Sequence, residues 1–214
     1  MHNHWNNHLN LAQFILDRKP KIIVECGAGN GELTRKLADL LDLYHFELHV
    51  ISDNKIEGIA SRIVWHEGLS YEELSHFEDD SIDLCIIDTD HNFWTLTKEL
   101  NAVANKIREN GLIAMHDVDT FYHNTGMALS YWDGKPYPKE EIEACAPYGS
   151  LGDALIDFLH EKKMNFRMKA WSSDSNGAAL IEKRTEPIFA IVIPGPKAVF
   201  TKKETQNVAV LQAG

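Results

Sequence analysis

The feature that most constrains the fold is a short apolar run that leads directly into three closely spaced glycines. Residues 22–32 have the sequence IIVECGAGNGE. β-Branched residues without a helical period predict a strand buried on both faces, as in a parallel sheet. The glycines allow positive φ and close approach of another atom to the backbone, and leucines at helical spacing follow them. The segment therefore predicts a strand, a glycine turn and a helix whose N-terminal N–H groups face a ligand.

The spacing of the glycines distinguishes this turn from a dinucleotide-binding turn. The dinucleotide fingerprint needs a glycine where this chain has Glu32, whereas the third glycine here is Gly31. The segment at 25–31, ECGAGNG, resembles motif I of the class I S-adenosylmethionine-dependent methyltransferases. The resemblance implies cofactor contacts from Glu25, Gly27, Ala28, Gly29 and Gly31. The Glu25 carboxylate would help to hold the cofactor's ammonium group, directly or through water. The alternative is a glycine turn in another doubly wound α/β protein.

The rest of the chain to residue 184 alternates predicted strands and helices. Further strands are predicted at 46–51, 62–66, 81–88, 112–118, 165–171 and 178–183. The helix after the fourth strand is predicted at 93–108, closed by Asn110 and Gly111. This order predicts an α/β fold with a Rossmann-like, doubly wound, mostly parallel sheet. The resemblance implies seven strands, the last two forming a C-terminal antiparallel hairpin.

The predicted domain organisation is a methyltransferase domain at residues 1–184 and a C-terminal extension at residues 185–214. Within the domain, residues 119–149 break the alternation of elements and are rich in aromatic residues, glycine and proline. A long irregular segment with this composition predicts a lid or substrate wall. The extension contains two apolar runs interrupted by prolines, for which we expect an added strand or a subunit contact in a homo-oligomer.

Two further loops are expected to contact the cofactor. Asp53 follows the second strand, near the place where an acidic side chain of a Rossmann-like unit meets the ribose hydroxyls. The alternative for Asp53 is a turn or an N-cap aspartate. Gly68 and Ser70 follow the third strand, and the resemblance places their loop beside the adenine. Asp88, which ends the fourth strand, is also expected beside the cofactor.

Carboxylates and imidazoles cluster at the predicted ends of the fourth and fifth strands. The fourth strand ends in Asp88, Asp90 and His91, and the fifth in His116 and Asp117. Ligands bind beyond the carboxyl ends of strands in such sheets. Oxygen and nitrogen ligands of this kind suit Mg²⁺, Mn²⁺, Ca²⁺, or an ion such as Fe²⁺ or Zn²⁺. We therefore predict a divalent cation, Mg²⁺ or another, held by Asp88 and Asp117 with one of Asp90 or His116.

The segments IIDTDH and GLIAMHD resemble a subgroup of class I methyltransferases that act on hydroxyls of small molecules such as sugars and natural products. The subgroup motifs read IDGDH and GGxxxxHD, so this chain has Thr89 in place of a glycine and Asn110 in place of another. His116 stands where metal-dependent relatives often have an acid. The resemblance implies methyl transfer to a small-molecule hydroxyl, with Asp90, His91 or His116 as catalytic residues.

Three alternatives stay open at this point. The first is a metal-free methyltransferase that uses His91 or His116 as its base. The second is a non-catalytic protein that binds S-adenosylmethionine or a nucleoside. In the third, the histidines have ordinary structural roles, His91 as a helix cap or packing residue and His116 as a core histidine.

The composition of the chain narrows the classes of binding partner and the cellular compartment that we expect. The net charge is −11, without a basic cluster in the sequence, which argues against a nucleic-acid partner. No apolar run approaches the roughly 20 residues of a membrane helix, so no membrane partner is expected. The chain has 3 cysteines, without a C-x-x-C pair, which predicts a reducing compartment and a cytoplasmic protein.

Overall fold

A computed structural model describes residues 11–53, 55–59, 62–118, 150–163, 165–172 and 177–184. The segment predicted as a lid or substrate wall and the predicted C-terminal extension lie outside these residues. The helices are α1 (Leu11–Arg18), α2 (Glu32–Tyr44), α3 (Ser70–Ser75), α4 (Phe93–Ala104) and α5 (Leu151–Glu161). The strands are β1 (Ile22–Cys26), β2 (Glu47–Ile51), β3 (Val64–His66), β4 (Ile82–Ile87), β5 (Ile107–His116), β6 (Phe166–Ser172) and β7 (Ala178–Lys183).

The strands form one 7-stranded sheet in the order β3-β2-β1-β4-β5-β7-β6. β1 to β5 pair in parallel, and β7 is antiparallel to both β5 and β6. The predicted Rossmann-like sheet with a C-terminal antiparallel hairpin is confirmed. The chain runs outward from β1 to β3 and then crosses back to β4. The neighbours β1 and β4 are therefore the switch point at whose carboxyl end ligands bind in such sheets.

The sheet is covered by helices on both faces because its central strands are apolar on both sides. All six residues of β4 are buried. Helices α1 and α2 pack on one face through Leu11, Ile15, Leu37 and Leu41. Helices α3, α4 and α5 pack on the other face through Leu74, Leu96, Leu100, Leu155 and Phe158. None of the helices in the described ranges is long and apolar enough to cross a membrane.

The prediction for residues 105–111 is wrong. The fourth helix ends at Ala104, and β5 begins at Ile107 and runs through Asn110 and Gly111. Ile107 continues the apolar stripe of α4, so periodicity alone could not show that it is a buried strand residue beside Ile82. From this pair to the pair of Leu84 and Leu112, β5 advances five residues while β4 advances two. Asn110 has φ 61° within this irregularity, which is a bulge rather than a helix end.

Candidate active site

The acidic and histidine side chains predicted at two strand ends lie together in the structure. β4 and β5 are neighbours, with Ile87 beside Met115. The residues that follow therefore leave the sheet at the same edge. One ligand atom from each of Asp88, His116 and Asp117 lies within 4.8 Å of the other two. The structure thus brings together Asp88, Asp117 and the histidine that stands in place of a second acid.

His91 joins this cluster from the loop after β4. Its Nε2 lies 2.5 Å from Oδ2 of Asp117, and Nδ1 of His116 lies 3.1 Å from the same oxygen. Both histidines lie 3.9 Å from Oδ1 of Asp88. One oxygen of Asp117 is therefore flanked by two imidazoles. Asp90, from the same loop as His91, lines a small cavity beside the cluster.

The charges of the cluster compensate one another. Burial raises the pKa of Asp117, but the hydrogen bonds from His116 and His91 outweigh it, and the pKa lies well below its ordinary value. Burial lowers the pKa of both histidines, but their contacts with Asp117 and Asp88 raise it more. Burial is the largest influence on Asp88 and raises its pKa to about 6. The side chains of this site can therefore exchange protons near neutral pH.

The structure tests one of the alternatives for His91, its role as a helix cap. The N-cap of α4 is Asn92, whose side chain accepts a hydrogen bond of 2.7 Å from the backbone N–H of Thr95. A cap role for His91 is therefore not needed. His91 instead points its Nε2 at Asp117, so its side chain belongs to the acidic cluster.

The glycines of the turn after β1 have different physical roles. A Cβ at Gly27 would lie 2.0 Å from the carbonyl oxygen of Asp88, so this glycine allows β1 and β4 to approach closely. A Cβ at Gly31 would lie 2.5 Å from the side chain of Ile56. A Cβ at Gly29 would meet nothing within 4 Å. The open side of the turn is thus at Gly29, while Ala28 is buried.

Glu25 is buried beneath this turn, with 1% of its surface exposed. Its Oε1 accepts a hydrogen bond of 3.1 Å from the hydroxyl of Thr34 in α2. Its Oε2 has no hydrogen-bond partner among the described residues. Burial raises the pKa of Glu25 to about 8. The unpartnered oxygen next to the glycine turn fits a donor group such as an ammonium, because a buried acceptor is costly when it stays unpaired.

The other predicted cofactor residues lie at the same edge of the sheet or just behind it. Asp53 is exposed just beyond the carboxyl end of β2, and residues 55–59 contain a turn at 57–58 and no helix for Asp53 to cap. A Cβ at Gly68 would lie 2.9 Å from Oε1 of Glu73. Ser70 is buried, and its hydroxyl donates a short hydrogen bond to Glu99. The Ser70 hydroxyl is therefore engaged within the protein.

Sequence reasoning missed Glu99. This residue of α4 is fully buried, and its Oε1 accepts hydrogen bonds from Ser70 and, over 2.6 Å, from Thr89. A signal was available in the sequence. Glu99 lies three residues after Leu96 and next to Leu100, on the apolar stripe that faces the sheet. A carboxyl group in such a stripe needs polar partners inside the protein.

Comparisons with known proteins agree with this fold. Residues 24–118 match a family model described as a methyltransferase domain. A candidate caffeoyl-CoA O-methyltransferase from Staphylococcus aureus superposes with a TM-score of 0.56 at 16% identity, over 81% of each chain. The methyltransferase PaMTH1 from Podospora anserina, solved with S-adenosylhomocysteine, gives a TM-score of 0.55 at 19% identity, over 80% of this chain and 75% of its own.

A third similar structure contains a metal. The methyltransferase MycE of the mycinamycin biosynthetic pathway, in complex with Mg, S-adenosylhomocysteine and mycinamycin VI, gives a TM-score of 0.57 at 16% identity. The match covers 91% of this chain and 53% of MycE. No curated protein matches the chain in sequence. At these identities the superpositions establish the fold, and the family model matches residues 24–118 within it. Residues 24–118 are therefore similar to a methyltransferase domain, and the chain has the Rossmann-like α/β fold of these methyltransferase structures.

Proposed function

We propose that this protein transfers a methyl group from S-adenosylmethionine to a hydroxyl of a small molecule, with the help of a divalent cation. The observation that carries the proposal is the convergence of Asp88, His116 and Asp117 at the carboxyl ends of β4 and β5. This cluster lies on the strand next to the glycine turn of β1. A methyl donor held by the turn and an acceptor held by the cluster would therefore be neighbours.

The residues of the turn suit S-adenosylmethionine. The open face of Gly29 leaves room for the cofactor against the backbone, and Oε2 of Glu25 lacks a partner that an ammonium could supply. Asp53 extends from the next strand end with acceptor oxygens for the ribose hydroxyls. When bound, the cofactor supplies a methyl group activated on a sulfonium. The side chains of this protein have to align the acceptor with that group and remove its proton.

The donor set of the cluster fits a cation. Two carboxylates and one imidazole provide hard oxygen ligands and one nitrogen, which suits Mg²⁺ with retained waters or Mn²⁺. Two close carboxylates repel each other unless a positive charge lies near them. The imidazoles of His91 and His116 lie beside Asp117 in the structure, and a bound cation would supply the positive charge with His116 neutral as its ligand. A cation held by Asp88, His116 and Asp117 would polarise the acceptor hydroxyl.

The proton of the acceptor hydroxyl would pass to this chain's own side chains. His91 is held through Nε2 by Asp117, so its Nδ1 would accept the proton and Asp117 would stabilise the imidazolium. Asp90 in the same loop is the second candidate base. The acceptor oxygen then forms its bond to the methyl carbon as the carbon–sulfur bond breaks. S-adenosylhomocysteine and the methyl ether are the products.

A metal-free methyltransferase is the second candidate. The distance of 2.5 Å between His91 and Asp117 supports it, because a carboxylate that orients a histidine is sufficient for general-base catalysis. In that case His116 would hold Asp117 in place, and no cation would be needed.

A small acceptor and a cytoplasmic setting complete the proposal. The net charge of −11 favours a small molecule over a nucleic-acid backbone as the methyl acceptor. Cys26 and Cys85 are both buried and free, which supports a reducing compartment. The acceptor class can be found by screening phenols, sugars and glycosylated natural products with isotopically labelled S-adenosylmethionine.

The experiment that tests the proposal compares turnover with and without metal. Release of S-adenosylhomocysteine is measured in the wild-type protein after treatment with EDTA and after return of Mg²⁺ or Mn²⁺, and binding of Mn²⁺ is measured by calorimetry. Asp88→Asn and Asp117→Asn should lower turnover by about 100-fold or more with little change in cofactor affinity. Asp79→Asn is the control, because Asp79 is exposed and precedes the opposite end of β4.

Each outcome of this experiment favours one of the candidate functions over the others. Loss of turnover with EDTA and with both site variants supports the cation. Turnover that survives EDTA but not His91→Ala supports the metal-free route. Cofactor binding without release of S-adenosylhomocysteine, with every acceptor in the screen, would favour a non-catalytic binding protein.

A further inference from the structure

One buried carboxyl group joins two loops of the ligand-binding edge. Oε1 of Glu99 in α4 accepts hydrogen bonds from Ser70, just after β3, and from Thr89, just after β4. The two hydroxyls are 19 residues apart in the chain, and no strand pairing connects β3 with β4. We propose that Glu99 is a positioning residue that fixes the loop after β3 to the loop that carries Asp88 and His91. The function of these loops in cofactor binding and catalysis rests on the proposed function.

The environment of Glu99 suits a neutral acceptor. The side chain is fully buried, and a buried carboxylate without a cationic partner is strongly disfavoured. Burial raises the pKa of Glu99 to about 8, and the hydrogen bonds from Ser70 and Thr89 offset only part of that shift. A protonated Glu99 still accepts both hydroxyl hydrogens on Oε1. The carboxyl group can therefore hold the two loops together at neutral pH without a buried charge.

Thr89 supplies one of the two hydroxyl groups that this contact with Glu99 requires. The motif that the segment IIDTDH resembles has a glycine at this position, and a glycine could not donate the side-chain hydrogen bond of 2.6 Å to Glu99. The hydroxyl of Thr89 lies between the two acidic residues Asp88 and Asp90 in sequence. Its bond to Glu99 fixes the backbone from which both of these side chains extend. The departure from the motif is thus matched by a partner on α4.

The same carboxyl group borders the acidic cluster. Glu99 lines a cavity of about 10 Å³ together with Asp88, His91 and His116. This volume is close to the lower limit for one water molecule. The second oxygen of Glu99, Oε2, has no hydrogen-bond partner among the described residues. A change at Glu99 would therefore alter both the loop contact and the wall of the site.

The test uses four single substitutions in the full chain, together with the double variant that combines Thr89→Val with Glu99→Met. Glu99→Gln keeps a neutral side chain with an acceptor oxygen, whereas Glu99→Met keeps the approximate volume and removes both oxygens. Thr89→Val removes only the hydroxyl. Thr97→Val is the matched control, because the Thr97 hydroxyl lies on the same helix as Glu99 and has no hydrogen-bond partner among the described residues. Amide hydrogen exchange at residues 68–72 and 88–92 reports the loops, and calorimetry reports affinity for S-adenosylhomocysteine.

We expect Glu99→Met to accelerate exchange in both loops and to weaken S-adenosylhomocysteine binding by about tenfold, the equivalent of one hydrogen bond. Glu99→Gln should stay within about threefold of wild type in both measurements, since it keeps the acceptor. Thr89→Val should change exchange at 88–92, and it should add nothing in the Glu99→Met background because its partner is already absent. Thr97→Val should match wild type throughout.

Amide hydrogen exchange in the two loops is sufficient by itself to test the proposal. Exchange in both loops that is unchanged by Glu99→Met would overturn it, and so would additive effects of Thr89→Val and Glu99→Met. If Glu99→Met does not fold, Thr89→Val compared with Thr97→Val decides, and equal exchange in these two variants overturns the proposal. A wild-type protein without affinity for S-adenosylhomocysteine would remove the proposed function, while the exchange rates would still show whether Glu99 connects the loops.

Discussion

The Cβ position of Gly27 lies 2.0 Å from the carbonyl oxygen of Asp88, so the glycine turn and the acidic strand end are packed against each other. Gly27→Ala should lower the free energy of unfolding by about 2–4 kcal/mol, through this overlap and through the cost of φ 86° for alanine. Urea denaturation measures the change. Gly58→Ala is the control, because Gly58 has φ 74° but open space around its Cβ position. Equal losses in the two variants would mean that the overlap has relaxed.

Gly29 should affect the cofactor rather than the packing. Gly29→Val places a branched side chain on the open face of the turn, where we expect the cofactor, and should weaken S-adenosylhomocysteine binding by at least about 100-fold. The positive φ of 50° adds some loss of stability. Gly58→Val, with a similar backbone strain and a similarly open surrounding, provides the comparison. Calorimetry that shows the same affinity in both variants and in wild type would exclude a cofactor contact at Gly29.

Asp53 should contribute to affinity through the ribose. Asp53→Ala should lower the binding free energy of S-adenosylhomocysteine by about 1.5–3 kcal/mol, the range for hydrogen bonds to a charged group. Glu57→Ala removes a nearby exposed carboxylate and should leave affinity unchanged. A crystal structure of the complex in which the ribose hydroxyls bind elsewhere would contradict the assignment.

Glu25 should make stability depend on pH. Its pKa of about 8 in the folded protein exceeds the ordinary value of 4.5, so the folded state binds more protons between these values. Its contribution to stability is complete below pH 4.5 and is lost as pH rises through 8, with a slope of up to about 1.4 kcal/mol per pH unit. Glu25→Gln removes this titration.

Urea denaturation between pH 5 and pH 8.5 checks this expectation. Glu25→Gln should gain stability relative to wild type as pH rises. Glu57→Gln, at an exposed position, should show the same pH dependence as wild type. A constant difference between Glu25→Gln and wild type over this range would mean that Glu25 is already ionised in the folded state.

Strands and helices that follow a local hydrophobic pattern could be predicted from the sequence. Features that depend on contacts between distant residues could not. The apolar runs of β1 and β4 and the glycines between β1 and α2 indicated the sheet, its switch point and the edge where the site lies. The sequence pattern predicts Ile107 in a helix because an apolar residue fits both the stripe of α4 and a buried strand. A bulge depends on the register with β4, which no local pattern contains.

Within the candidate site, residue types indicated the cluster but not its internal contacts. Asp88, His116 and Asp117 could be expected together because neighbouring parallel strands end at one edge. The close contact of His91 with Asp117 depends on a loop conformation. The different roles of Gly27 and Gly29 depend on which backbone lies opposite each one. These are tertiary distances, and they become visible only in the folded chain.

Helix α4 requires a fixed number of residues between Asn92 and Glu99. The helix begins after Asn92, which caps it directly behind His91, and Glu99 lies seven residues later, close to two helical turns. One inserted or deleted residue between these two positions would rotate Glu99 by about 100° around the helix axis, away from Ser70 and Thr89. A deletion or insertion after Glu99 would leave that orientation unchanged. Length variation among functional homologues should therefore be excluded from residues 92–99.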